Sequence, residues 1–136
     1  MSTILVTGGA GFIGSNIVEH LVRRGDTKVK VIDNLSTGYI ENIKSFLDEI
    51  EFIEGSITDL DLLKKVFKDV DYILHQAAIT SVPRSIEDPI RSHLNNASGT
   101  LNVLVAARDC GVKRVVYAAS SSAYGDAPED VKSEHL

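Results

Sequence analysis

Thr3-Ile4-Leu5-Val6-Thr7-Gly8-Gly9-Ala10-Gly11-Phe12-Ile13-Gly14 decides how this chain folds. Ile4 to Val6 form a short apolar run, the mark of a buried strand. Gly8, Gly11 and Gly14 follow at three-residue spacing. Ile13, Ile17, Val18, Leu21 and Val22 then recur at a helical period, and Arg23, Arg24 and Gly25 close that helix. A turn without side chains lets an anion approach the helix N-terminus, where unpaired N–H groups and the helix dipole bind it. The next strand, Val29-Lys30-Val31-Ile32, ends in Asp33, nineteen residues beyond Gly14. A carboxylate at that place accepts hydrogen bonds from an adenosine ribose. Strand, glycine turn, helix and acid together point to a dinucleotide pyrophosphate.

Working outward, residues 3–7, 29–32, 51–54, 72–75 and 114–119 read as strands, short and apolar enough to be covered on both faces. Helical patterns lie between them. Residues 12–24 form the first, and Ile40 to Leu47 a weaker second. Leu60, Leu63, Val66 and Phe67 mark a third, with Thr58 or Asp59 as its cap. Asp88-Pro89 opens a fourth, which runs to Gly111 with Ile90, Leu94, Ala97, Leu101, Leu104 and Val105 on the expected buried face. The alternation predicts an α/β fold: a Rossmann-type, doubly wound parallel sheet of strand order 3-2-1-4-5 in three layers. Ligands on such a sheet bind beyond the carboxyl ends of the strands. Five segments therefore face one crevice: Gly8–Gly14, Asp33–Gly38, Gly55–Asp59, His75–Ser81 and Ser120–Gly125. After Gly125 the sequence turns polar and aperiodic, which predicts a loop over 126–136 after a cofactor domain over 1–125.

Composition excludes several function classes. The 136 residues are 43% hydrophobic and 24% charged, which argues for a packed domain rather than a disordered segment. The net charge is -5 and the basic residues are scattered, so no nucleic-acid surface is expected. The single cysteine, Cys110, excludes a disulfide within the chain and fits a reducing cytoplasm. No apolar run approaches membrane-spanning length, and the first strand begins too early for a signal peptide, so no membrane association is expected. No His/Cys cluster has ligand spacing, so no metal is expected. His75 reads as a packed imidazole rather than a general base.

The sequence resembles the extended short-chain dehydrogenases of the NAD-dependent epimerase/dehydratase family. Five segments carry the resemblance: VTGGAGFIGS (6–15), DNLSTG (33–38), HQAA (75–78), NNASGTLNVL (95–104) and SSSAYGD (120–126). The GxxGxxG spacing is itself the variant typical of this group. Within it, HQAAITSVPRSIEDPI (75–90) and AASSSAYGD (118–126) look most like UDP-N-acetylhexosamine 4-epimerases, with UDP-glucose 4-epimerases as the nearest alternative.

The resemblance implies a tightly held NAD that is used and regenerated within each turnover of a UDP-sugar. A hydride leaves sugar C4, the 4-keto sugar rotates, and the hydride returns to the other face. It implies that Asp33 holds the ribose hydroxyls; a carboxylate there repels a 2′-phosphate and favours NAD over NADP. Asn34, Ser36, Thr37 and Gly38 then line the adenosine side. Gly8, Gly11 and Gly14 admit the pyrophosphate, and Phe12 and Ile13 offer it backbone N–H groups. Ser56 and Ile57 stand where relatives often carry Asp-Ile, so adenine recognition is expected to lack a charge. Gln76, Ala77 and Ala78 flank the cofactor ribose, with Thr80 nearby. Asn95, ahead of its neighbour Asn96, matches a position that orients the helix near the nicotinamide.

Ser120 takes the role of the family serine that hydrogen-bonds the reacting hydroxyl, and Ser121 and Ser122 contact the sugar. Arg84 reads equally as a ligand of the sugar diphosphate and as a surface charge. Dehydratases carry acidic residues where Ser121 and Ser122 stand, which argues against dehydration. The family's Tyr-x-x-x-Lys helix and substrate lobe do not occur in these residues: Tyr124 is followed by Gly125-Asp126-Ala127-Pro128. The 136 residues alone are therefore expected not to turn over substrate, and the second reading is a non-catalytic NAD-binding module. Extended members pair as homodimers through two long helices, of which only 89–110 is present.

Overall fold

Strands this short and apolar are stable only when both faces are covered. In the computed structural model, which describes residues 1–136, five of them form one parallel sheet of order β3-β2-β1-β4-β5. The strands are β1 (Ser2–Thr7), β2 (Thr27–Asp33), β3 (Glu51–Glu54), β4 (Tyr72–His75) and β5 (Arg114–Tyr117). The predicted topology is present. β2 is longer than its apolar run, and β5 stops at Tyr117, two residues short of the expected end.

Alternation along β1 and β2 sends neighbouring side chains to opposite faces. Leu5, Ile32 and Ile73 pack on one side against α2 (Leu60–Val66) and α5 (Gly99–Asp109), through Leu63, Phe67, Val103, Ala106 and Ala107. Val6, Val29 and Val31 pack on the other side against Val18 and Leu21 of α1 (Phe12–Arg24), with Ile43 and Phe46. Each large side chain so buried contributes about 1.5–3 kcal/mol. Asp59 caps α2 by accepting from the Leu62 amide. At the other end of α2, the buried Lys30 donates to the Val66 carbonyl at 2.7 Å, a cation at a helix C-terminus.

Three helical expectations need correction. Residues 40–49 form two short 3₁₀ turns, Ile40–Asn42 and Lys44–Glu49, instead of one helix. A short helix that the sequence reading did not find, α3 (Val82–Glu87), precedes the proline-led α4 (Pro89–His93). The expected single helix over 89–110 is divided by a wide π turn, Leu94–Ser98, before α5 begins. Its buried face is also not the expected one. Ser92, Gly99, Val103, Ala106 and Ala107 are buried, whereas Ile90, Leu94, Ala97, Leu101 and Leu104 are exposed and Val105 is half-buried. No helix is long and apolar enough to cross a membrane. Residues 126–136 contain neither helix nor strand.

Candidate functional site

The turn after β1 is shaped by close approach. Gly8 has φ +69°, and a Cβ there would lie 2.8 Å from the Ala77 backbone. At Gly14 a Cβ would collide with the Gly8 carbonyl oxygen. The turn is thus pinned to the end of β4 and folded back on itself. It leaves the start of α1 open: the amides of Phe12, Ile13 and Gly14 donate to no backbone carbonyl, no side chain caps the helix, and no acid sits in its first turn. The positive end of this helix is therefore not neutralised from within the chain, which suits it to an anion.

Asp33 stands beside this turn at the tip of β2. Its Oδ2 accepts from the Ala10 amide at 2.9 Å and its Oδ1 from the Leu35 amide at 2.8 Å. The second bond holds Leu35 at φ +58°, a left-handed conformation unusual for leucine. The carboxylate thus shapes the 33–38 loop and still presents lone pairs to the crevice, which it lines together with Asn34, Ser36, Thr37 and Gly38. Ser56 and Ile57 close the far side. The Ser56 hydroxyl is engaged with Thr58, 2.8 Å from its Oγ1, and Asn102 donates to the Ile57 carbonyl.

A wider cavity of about 920 Å³ continues past the glycine turn. Phe12, Ile13, Gly14, Thr80, Arg84 and Ser120 line it, and Gln76, Ala77 and Ala78 line both spaces. The structure therefore gathers the expected cofactor residues around one continuous crevice, but Asn95 lines the part beside Asp33 and Ser56 and not the wider cavity, away from the nicotinamide position expected for it. Ser120 reaches the wider cavity, where its hydroxyl donates to Ser122 Oγ at 3.0 Å and accepts from the Ser122 amide. It starts a 3₁₀ turn over Ser121–Tyr124 rather than ending a strand. Ser121 and Ser122 line neither space. Arg84 is exposed on the rim.

Some of the residues that build the site were ranked second by the sequence or not linked by it. Asn96, in the π turn, clamps Ile79 with both amide atoms: its Oδ1 accepts from the Ile79 amide at 2.7 Å and its Nδ2 donates to the Ile79 carbonyl at 2.8 Å. Asn95 instead donates to the Arg91 carbonyl. Thr7 and Thr100 flank His75, whose Nδ1 lies 2.6 Å from Thr7 Oγ1 and whose Nε2 lies 2.9 Å from Thr100 Oγ1. Burial holds the His75 pKa below its ordinary value of 6.5. Thr7 and His75 are sixty-eight residues apart, so no local pattern links them.

The sequence profile of the NAD dependent epimerase/dehydratase family matches residues 4–136. A putative UDP-glucose 4-epimerase of Methanocaldococcus jannaschii is 43% identical over 125 residues, which cover 90% of this chain and 40% of that protein. The UDP-N-acetylglucosamine 4-epimerase of Methanobrevibacter ruminantium, solved with UDP-N-acetylmuramic acid, superposes with a TM-score of 0.88 at 40% identity, covering 98% of this chain and 42% of that one. The UDP-glucose 4-epimerase of Thermus thermophilus, solved with NAD, gives 0.87 at 41% identity, covering 97% and 42%. The chain thus spans about two fifths of the length of these relatives.

Proposed function

Because the chain belongs to the NAD-dependent epimerase/dehydratase family, we propose that it is the NAD-binding portion of a nucleotide-sugar 4-epimerase acting on a UDP-hexose or UDP-N-acetylhexosamine. One observation carries this reading. The unpartnered amides at the start of α1 and the Asp33 carboxylate open on a single crevice, about as a dinucleotide requires. The residues fit NAD: the Phe12 and Ile13 amides meet the pyrophosphate, Asp33 the adenosine ribose, and Gln76 to Ala78 the second ribose. When bound, NAD supplies a reversible hydride acceptor for sugar C4. Ser120, on the wall of the wider cavity, hydrogen-bonds the hydroxyl that reacts.

Residues 1–125 form the cofactor domain on this reading, and residues 126–136 a polar loop after it. The chain works in the cytoplasm, in keeping with its lone cysteine. The 136 residues contain no Tyr-x-x-x-Lys, so by themselves they bind the cofactor without turning over a UDP-sugar. A homodimer forms through the exposed apolar stripe of Ile90, Leu94, Leu101 and Leu104.

Isothermal titration tests the cofactor assignment. NAD is expected to bind and NADP to bind at least about tenfold more weakly, because a 2′-phosphate would face the Asp33 carboxylate. Equal or tighter binding of NADP would overturn the role given to Asp33.

A further inference from the structure

We propose that His75 is a positioning residue: as a neutral imidazole protonated on Nε2, it fixes the Thr7 hydroxyl so that the lone pairs of that hydroxyl hold the Gln76–Ala77 wall of the cofactor crevice. The inference rests on the reading of that crevice as an NAD site and adds a residue with a defined protonation state to it.

Counting donors and acceptors leads to this assignment. Three nitrogens approach Thr7 Oγ1: His75 Nδ1 at 2.6 Å, the Gln76 amide at 3.0 Å and the Ala77 amide at 3.1 Å. The Gln76 amide is shared with the Thr7 carbonyl at 3.1 Å. A hydroxyl has two lone pairs and one proton. Were Nδ1 protonated, three N–H groups would crowd two lone pairs and the hydroxyl proton would face no acceptor. With Nδ1 bare, the hydroxyl donates to it and both lone pairs take the amides. Nε2 then carries the hydrogen and donates to Thr100 Oγ1 at 2.9 Å. Thr7 is fully buried and His75 is 4% exposed, so water does not replace a lost partner.

The imidazole thereby joins three elements behind the crevice. Thr7 is the last residue of β1, immediately before the glycine turn. His75 ends β4, and its carbonyl accepts from the Ala118 amide beyond β5. Thr100 lies in the first turn of α5. Gln76 and Ala77, held by Thr7, line both parts of the crevice, and Ala77 is the backbone against which Gly8 closes.

The surroundings of His75 offer an added proton no counter-charge. From β1 the ring meets Thr7, and from α5 it meets Thr100. On β5 its neighbour in register is Tyr117. The cavity it lines contains no carboxylate, and its one charged residue is the exposed Arg84. Protonation of Nδ1 would abolish the Thr7 donation with nothing gained in return. Acidification therefore loosens the Gln76–Ala77 wall and weakens cofactor binding.

Long-range ¹H–¹⁵N correlation spectra of the 136-residue chain at pH 7.5 read the tautomer directly, and a protonated Nε2 with bare Nδ1 is expected for His75. Two variants separate positioning from packing. His75→Asn keeps an acceptor where Nδ1 stood and cannot be protonated; its NAD affinity is expected to stay within about threefold of wild type and to be flat between pH 7.5 and 5.5. His75→Phe keeps a ring without an acceptor; its NAD affinity is expected to fall about tenfold, with exchange of the Ala77 amide, which has no backbone acceptor, accelerated by a similar factor. A protonated Nδ1, or a His75→Phe chain matching wild type in affinity and in exchange at Ala77, overturns the proposal. If the wild-type chain bound no NAD, the cofactor reading would fail separately, and the tautomer and the exchange rates would still decide the role of His75.

Discussion

A single methyl group at Gly14 is enough to spoil the first turn. The Gly8 carbonyl that it would strike is backbone, already accepting from the Gly11 amide, and has no rotamer to escape into. Gly14→Ala is expected to destabilise the chain by about 2–3 kcal/mol, read as a lowered thermal midpoint; an unchanged midpoint would mean the turn has slack. Asp33 acts differently, through two backbone amides and a ribose. Asp33→Ala leaves the Ala10 and Leu35 amides without acceptors and is expected to weaken NAD binding about tenfold or more in the titration above. Both residues were legible in the sequence because their signals are local: a glycine spacing, and an acid at a strand tip. Thr7, His75 and Thr100 were not legible as a group, since a threonine at a strand end looks the same whether or not an imidazole waits across the sheet.

At the scale of elements, the segment 89–109 is the instructive one. It is apolar on two sides, and the sequence favours the side with the larger residues. The π turn over Leu94–Ser98 interrupts the α-helical count between α4 and α5. The side that packs is the smaller one, because Gly99, Ala106 and Ala107 permit close approach; a Cβ at Gly99 would already run into the Ile57 side chain. Val103→Ala, at a fully buried position, is expected to cost about 2 kcal/mol in chemical denaturation. Leu101→Ala, at a position 60% exposed, is expected to change stability by no more than about 0.5 kcal/mol in a monomeric preparation. The reverse order would restore the face that periodicity alone suggested.

At the scale of the whole molecule, two behaviours follow. The stripe of Ile90, Leu94, Leu101 and Leu104 is expected to carry self-association in sedimentation, and Leu101→Glu to shift the chain to monomer; wild type that sediments as a monomer at high concentration would remove the homodimer from the proposal. Stability is expected to decline on acidification in two stages. The pKa of His75 is lowered by burial in the folded chain, so only the unfolded chain takes up a proton just below 6.5. Its stabilising contribution is complete above that pH and shrinks below it, until the folded-state pKa is reached. Asp71 follows at lower pH: it accepts from the Thr3 amide and faces Lys113, and both hold its pKa below 3.8. Its contribution is present above 3.8 and is lost as pH falls through the lowered folded-state value. Thermal midpoints measured from pH 8 to 3 test this, with His75→Asn expected to flatten the first stage alone.

The sequence by itself determined the strand positions, their parallel order, the glycine turn and the acid beside it. These follow from side-chain periodicity and backbone sterics over a few neighbouring residues. Only the tertiary structure decided which side of the 89–109 segment is buried, that Asn96 rather than Asn95 clamps Ile79, and that Thr7, His75 and Thr100 share one hydrogen-bond network. Each of those outcomes is set by close packing and by donor–acceptor pairing between groups distant along the chain, and such pairings leave no trace in local spacing.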